Sequence, residues 1–230
     1  VNAVGADRHA LESNPADAEK QDILKALTFN TFKDENDSYK WNVRVPGYTP
    51  LPMYGEVVME GLVPGYIVSV SLTRMLARVD VENKVSGEIF KLEEIYLVNY
   101  NTSGYIAPKW NEADGVLVPN PYATNENPMI PVPSGKQPGV EEAAMKYEYK
   151  QAINAPGALM AGEIYTYEAV KNVKDDPGNG VCLIIKGKYM GEDYYYRVDF
   201  TLESELPIDI AYMPLYRNHK YVVTVTDAEG

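Results

Sequence analysis

Val181-Cys182-Leu183-Ile184-Ile185-Lys186-Gly187-Lys188-Tyr189 and Tyr194-Tyr195-Tyr196-Arg197-Val198-Asp199-Phe200-Thr201-Leu202 decide the fold. In the first run Val181, Leu183, Ile185 and Tyr189 share one parity, with Cys182, Lys186 and Lys188 between them. The second places Tyr194, Tyr196, Val198, Phe200 and Leu202 on one parity and Tyr195, Arg197, Asp199 and Thr201 on the other. Successive side chains of a strand point to opposite faces, so each run predicts a strand with one dry face and one wet face. Only Met190-Gly191-Glu192-Asp193 lies between them, a hairpin-sized connection. The expectation is an all-β chain of antiparallel sheets, each burying one face.

Working outward, Tyr221 to Thr226, Glu163 to Glu168, Ile89 to Tyr100 and Glu56 to Glu60 read as further strands, as does Leu27 to Phe32. Glu141 to Ile153 is ambiguous between a helical start and the alternation of Met145, Tyr147 and Tyr149. Tyr66 to Val81 changes parity. Val68, Val70 and Leu72 form the first apolar set, and Met75, Ala77, Val79 and Val81 form the second. A one-residue slip reverses the facing, which predicts a bulge or a sheet-to-sheet bend around Thr73-Arg74. Near the start, Asn14 as cap, Pro15 at the first position and Asp17 in the first turn predict one short N-terminal helix. Residues 1–14 read as a flexible tail. Six prolines between Pro119 and Pro138 cannot donate to a ladder and mark a surface connection. The expected domains are therefore 1–118 and 141–230, joined by a Pro-rich connection over 119–140.

The chain has 230 residues, 33 acidic and 21 basic, with a formal charge of −12. That charge disfavours nucleic acid as a partner. Nineteen tyrosines against four phenylalanines suit half-buried sheet positions, where the ring packs and the hydroxyl stays wet. Cys182 is the sole cysteine, so no intrachain disulfide forms, and its place in an apolar strand suits a small buried hydrophobe.

Catalytic signatures are absent. The sequence holds no phosphate-binding loop, dinucleotide fingerprint or nucleophile elbow. His9 and His219 are its only histidines and lack metal-ligand spacing. Asp34 to Ser38 spaces oxygens like a calcium loop, but Tyr39 stands where glycine is required and Val45 where the closing glutamate belongs. Abundant carboxylates offer glycosidase pairs only by chance, since a sequence does not set the needed separation. Asn36-Asp37-Ser38 and Asn101-Thr102-Ser103 match the glycosylation sequon. Trp41, Trp110 and the tyrosines could stack on sugars, but core and sheet-edge roles explain their period-two placement better. Arg74, Arg78 and Asp80 share one strand parity and read as an ion-pair ladder. The expectation is a chain with no catalytic, cofactor-binding or metal site, and no enzyme.

Five blocks together resemble the fimbrillin family of Bacteroidales fimbriae, the FimA- and Mfa-type (type V) pilins. They are Leu72 to Val81; Phe90 to Asn101 with Gly104-Tyr105; Glu163 to Glu168; Tyr195 to Phe200; and Pro214 to Tyr221. The resemblance covers most of residues 50–226. It implies two tandem transthyretin-like β-sandwich domains and a structural subunit of a cell-surface fimbria (pilus). It implies export as a lipoprotein precursor to the outer membrane, with a lipidated leader ahead of Val1 and a further segment beyond Gly230. It also implies proteolytic maturation, for which Arg8 in the tail is the possible protease-processing site. Other fimbrial subunits are the implied partners, joined non-covalently by β-strand donation. An alternative is a surface carbohydrate-binding or adhesin module of the fimbrial-tip type, with a host or bacterial surface ligand.

Overall fold

The computed structural model describes residues 28–30, 40–41, 43, 49–59, 61, 64–101, 103–110, 117–118, 145–148, 158–169, 180–202 and 211–230. All regular structure among them is β. The expected N-terminal helix, the tail with His9 and Arg8, the Asp34 to Ser38 segment and the 119–140 connection lie outside the described residues.

Two sheets make a sandwich. The first places β4 (Leu76–Asn83) between β10 (Ala158–Tyr167) and β15 (Lys220–Val225). The second runs β12 (Glu192–Asp199), β11 (Cys182–Tyr189), β5 (Phe90–Val98), β9 (Met145–Glu148). Small two-stranded ladders join β1 (Thr28–Asn30) to β6 (Ser103–Tyr105), β2 (Met53–Tyr54) to β3 (Thr73–Arg74), β7 (Lys109–Trp110) to β8 (Leu117–Val118), and β13 (Thr201–Leu202) to β14 (Ala211–Tyr212).

The two large sheets meet through one core. Ala77, Val79 and Val81 of β4 and Ile164 of β10 face Phe90, Ile95 and Leu97 of β5 and Leu183 and Ile185 of β11. Every one of these is 1% exposed or less. Tyr196 and Val198 of β12 and Tyr221, Val223 and Val225 of β15 pack against its margin while staying partly exposed. The alternation read in the sequence thus delivers the core face of β4, β11 and β12 as expected.

The wet face is drier than expected. Tyr96, Val98, Cys182 and Ile184 form a second buried cluster on the other side of the four-stranded sheet. Beyond β4 and β10, Trp41, Met75, Leu76, Tyr165 and Tyr167 form a third cluster, with Trp41 edge-on to Tyr167 at 5.9 Å. Both sheets are therefore covered on two sides over part of their length, so a near-continuous apolar stretch such as Cys182 to Ile185 serves both faces.

Sheet membership crosses the expected division at 119–140. β4 and β5 precede it, yet β4 lies between β10 and β15, and β5 lies between β11 and β9. The described strands thus do not separate into a 1–118 sandwich and a 141–230 sandwich. The middle strand of one sheet, β4, and an inner strand of the other, β5, come from before the connection, so the core draws on both sides of it. The ladder of β15 on β4 is also parallel, from Lys220 opposite Arg78 to Val225 opposite Asn83, so the expected purely antiparallel pattern gives way to one mixed sheet. Parallel neighbours need a long crossover, and here most of the chain lies between them.

The parity change behaves as expected. Thr73–Arg74 pairs with β2, Met75 leaves the ladder and donates its N–H to Pro52 O at 3.0 Å, and Leu76 onward joins the sandwich. The segment changes sheets at Met75. Of the expected strand Glu56 to Glu60, the described residues 56–59 make no ladder. Within the ambiguous Glu141 to Ile153, the described residues Met145–Glu148 form a strand, β9.

The β11–β12 hairpin is tighter than the four-residue connection expected. Met190 and Gly191 alone form its turn, both with positive φ (48° and 92°), as the twist-matched hairpin turn requires. Gly187 sits within β11 where the Phe90 ring lies over it, and a Cβ there would come within 2.4 Å of that ring.

Candidate assembly surfaces

Three features of the described residues bear on function: a buried polar knot, an open sheet edge and an exposed apolar arm.

The knot lies at the end of β10. Arg217 is 1% exposed, and its guanidinium donates to Glu168 Oε2 at 2.6 Å, to Tyr105 O at 2.8 Å and to Ile106 O at 2.8 Å. Asn101 donates from Nδ2 to Glu168 O at 2.7 Å. Beside it the Tyr167 ring packs on Gly104, where a Cβ would approach to 2.5 Å. Tyr221 donates its hydroxyl to Pro214 O at 3.0 Å and accepts from Tyr216 N–H at 2.8 Å, closing the turn that carries Arg217. Burying two charges is costly, and only mutual pairing plus hydrogen bonds to the remaining guanidinium protons offsets it. Arg217 suits this role because its fork reaches a carboxylate and two carbonyls at once.

The knot draws on three of the five sequence blocks singled out above. Arg217 and Tyr221 belong to Pro214 to Tyr221, Glu168 to Glu163 to Glu168, and Asn101, Gly104 and Tyr105 to the block that contains β5. Sequence reasoning did not single out Arg217 or Glu168, because their pairing spans 49 residues. An Arg directly after Pro214-Leu215-Tyr216 was the available signal.

The open edge belongs to β15. The bonds Arg78 N–H to His219 O and Lys84 N–H to Val225 O, both 2.9 Å, bracket its ladder with β4. Alternate residues of a strand direct their backbone groups to opposite edges. Lys220, Val222 and Thr224 therefore present N–H and C=O away from β4, where no further strand pairs among the described residues. Lys220 and Val222 are exposed, Val222 by 49%.

The arm spans residues 55–72, rooted by the β2–β3 ladder. Its limbs touch where Gly55 meets Val70, Ser71 and Leu72, and a Cβ at Gly55 would come within 2.6 Å of Ser71 O. Gly61 and Gly65 have positive φ (88° and 85°) and nothing within 4 Å of a built Cβ, so the far end stands in open space. Tyr66, Val68, Val70 and Leu72 are 62%, 42%, 44% and 63% exposed, and Ile67 reaches 89%.

The remaining sequence candidates fall elsewhere. Trp41 is buried and stacks no sugar, and the Trp110 side chain lies outside the described ones. Asn101 is buried and engaged with Glu168, so its sequon is not an accessible acceptor. His219 contacts Arg217 O through Nδ1 at 2.8 Å and packs on Tyr216. Arg78 and Asp80 do pair, at 2.8 Å, and Asp80 also accepts from Gly162 N–H at 2.9 Å. That bond fixes the bulge between Met160 and Ile164, where Gly162 has φ 71°. On the four-stranded sheet, burial alone would raise the Glu94 carboxyl, but bonds from Lys146 and Tyr96 and the charge of Lys186 hold it below its usual range. No group of three or more potential metal ligands occurs among the described residues.

No family model matches this chain, and no curated protein matches it. Among solved structures, it is similar to the tip fimbrial protein Mfa3 from Porphyromonas gingivalis with C-terminal truncation. The alignment covers 69% of this chain and 49% of that one, at 17% identity and a TM-score of 0.39. The chain thus spans about half the length of that protein.

Proposed function

We propose that this chain is a structural subunit of a cell-surface fimbria, assembled non-covalently by β-strand donation after proteolytic maturation, and not an enzyme. The observation that carries the reading is the convergence of separate fimbrillin-like blocks on one buried knot, Arg217–Glu168 with Asn101, Gly104 and Tyr105. Blocks shared only by chance composition would have no reason to meet. An open edge at β15 and an uncovered apolar arm supply what strand addition uses: unpaired backbone groups and alternating apolar side chains.

The reading places the protein at the outer surface, with other fimbrial subunits as partners, a lipid anchor on its precursor and Arg8 as the processing site. Electron microscopy of cells with and without the gene, with antibody labelling, tests it. Labelled filaments that vanish on deletion are expected. Unchanged filaments and no label would overturn it. Peptide mapping of the surface-extracted protein tests Arg8, with Ala10-Leu11-Glu12 and onward kept and a new terminus at His9 expected.

A further inference from the structure

The arm poses a physical problem. Tyr66, Val68, Val70 and Leu72 occupy one parity of a β-prone stretch, the pattern of a strand with one face to bury. All four stand more than two-fifths exposed. An apolar stripe of this size, on a projection from the body, marks an interaction surface.

The same molecule offers a site of matching form. Along β15, Tyr221, Val223 and Val225 lean on the core but remain partly exposed, and no further strand among the described residues pairs beyond them in the sheet. The intervening residues Lys220, Val222 and Thr224 direct backbone groups outward. β15 is six residues long and the stripe-bearing limb, 66–72, is seven. The 66–72 limb itself carries no charged residue, so in a chain of net charge −12 it can approach this edge without like-charge repulsion.

We infer that the 66–72 limb of one copy adds as a strand to the β15 edge of a second copy, laying its apolar stripe against Tyr221, Val223 and Val225. The inference deepens the assembly reading above and rests on it, naming the donated element and its acceptor. Laid this way, the stripe shares the inward face of β15, so Ile67, Ser69 and Ser71 share the outward face with Val222. The contact is heterologous, arm to edge, and repeats into an open chain of subunits.

The test uses single-cysteine variants of the whole chain. Burial pushes the Cys182 thiol up to about 12, so at pH 8 it stays protonated and does not compete. Ile67→Cys, Ser69→Cys and Ser71→Cys are each mixed with Val222→Cys under mild oxidation, and each with Lys188→Cys as control. Mixed disulfide dimers between an arm variant and Val222→Cys, and none with Lys188→Cys, are expected. Arm-to-arm dimers alone, equal yield with the control, or no dimers would overturn the inference. Val68→Asp supplies a second readout by sedimentation. It is expected to weaken self-association about tenfold or more, with the urea midpoint unchanged because the site is exposed in the single copy. Unaltered association would overturn the inference equally. Should Val68→Asp cells still bear labelled filaments, the arm is not the donated element while the fimbrial reading stands; that reading falls only if deleting the gene leaves the filaments unchanged and unlabelled.

Discussion

Residues 66–72 and β4, which follows them after one bend, carry the same period-two apolar pattern and meet opposite fates. Ala77, Val79 and Val81 are 0% exposed, while Tyr66, Val68, Val70 and Leu72 range from 42% to 63%. The difference is not in the residues. β4 has a hydrogen-bonded neighbour on each side and a facing sheet, whereas the arm has a brief ladder at its root and no further strand partner among the described residues. Alternation specifies that a segment wants a strand's environment. Whether that environment lies within the molecule or in another one is decided elsewhere.

The contrast can be broken most forcefully on the anchored side. Arg217→Ala leaves Glu168 buried without its cation and is expected to cost about 3–5 kcal/mol in urea unfolding. A loss under about 1 kcal/mol would show that the knot is wet and slack. Val79→Ala removes two methyl groups from the sealed core and should cost about 1.5–3 kcal/mol. Gly187→Ala forces a Cβ toward the Phe90 ring and Lys91 O, both within 2.7 Å, and should cost about 1–3 kcal/mol through overpacking. The same chemical change as at Val79, made in the arm as Val70→Ala, should alter monomer stability by less than about 0.5 kcal/mol. Equal costs at positions 79 and 70 would mean that the arm is packed in solution and would dissolve the comparison.

Much of the fold was legible from local pattern. The runs at 181–189 and 194–202 form the hairpin they suggest as far as Asp199, beyond which Thr201–Leu202 pairs with β14 instead, and the parity change before β4 marks a real change of sheet. Partnership was not legible. That β5 pairs with β11 and β9, all across the Pro-rich connection, depends on contacts between residues far apart in the chain. The same limit hid the knot, since Arg217 and Glu168 are each unremarkable until the turn at 214–219 brings them to 2.6 Å. Trp41 follows the core role that was the favoured reading of its placement, but which residues bury it, Tyr167 and Met75 among them, depends on long-range packing.

By itself the sequence determined that this protein is built of strands, which side chains each strand turns the same way, and where the facing must reverse. These follow from the fixed two-residue period of an extended backbone. Only the tertiary structure decided which strands lie together, that β15 runs parallel to β4 at an open edge, and that one apolar stripe is buried while its neighbour is left outside. Those outcomes depend on which distant surfaces complete one another, and a local period carries no information about distance.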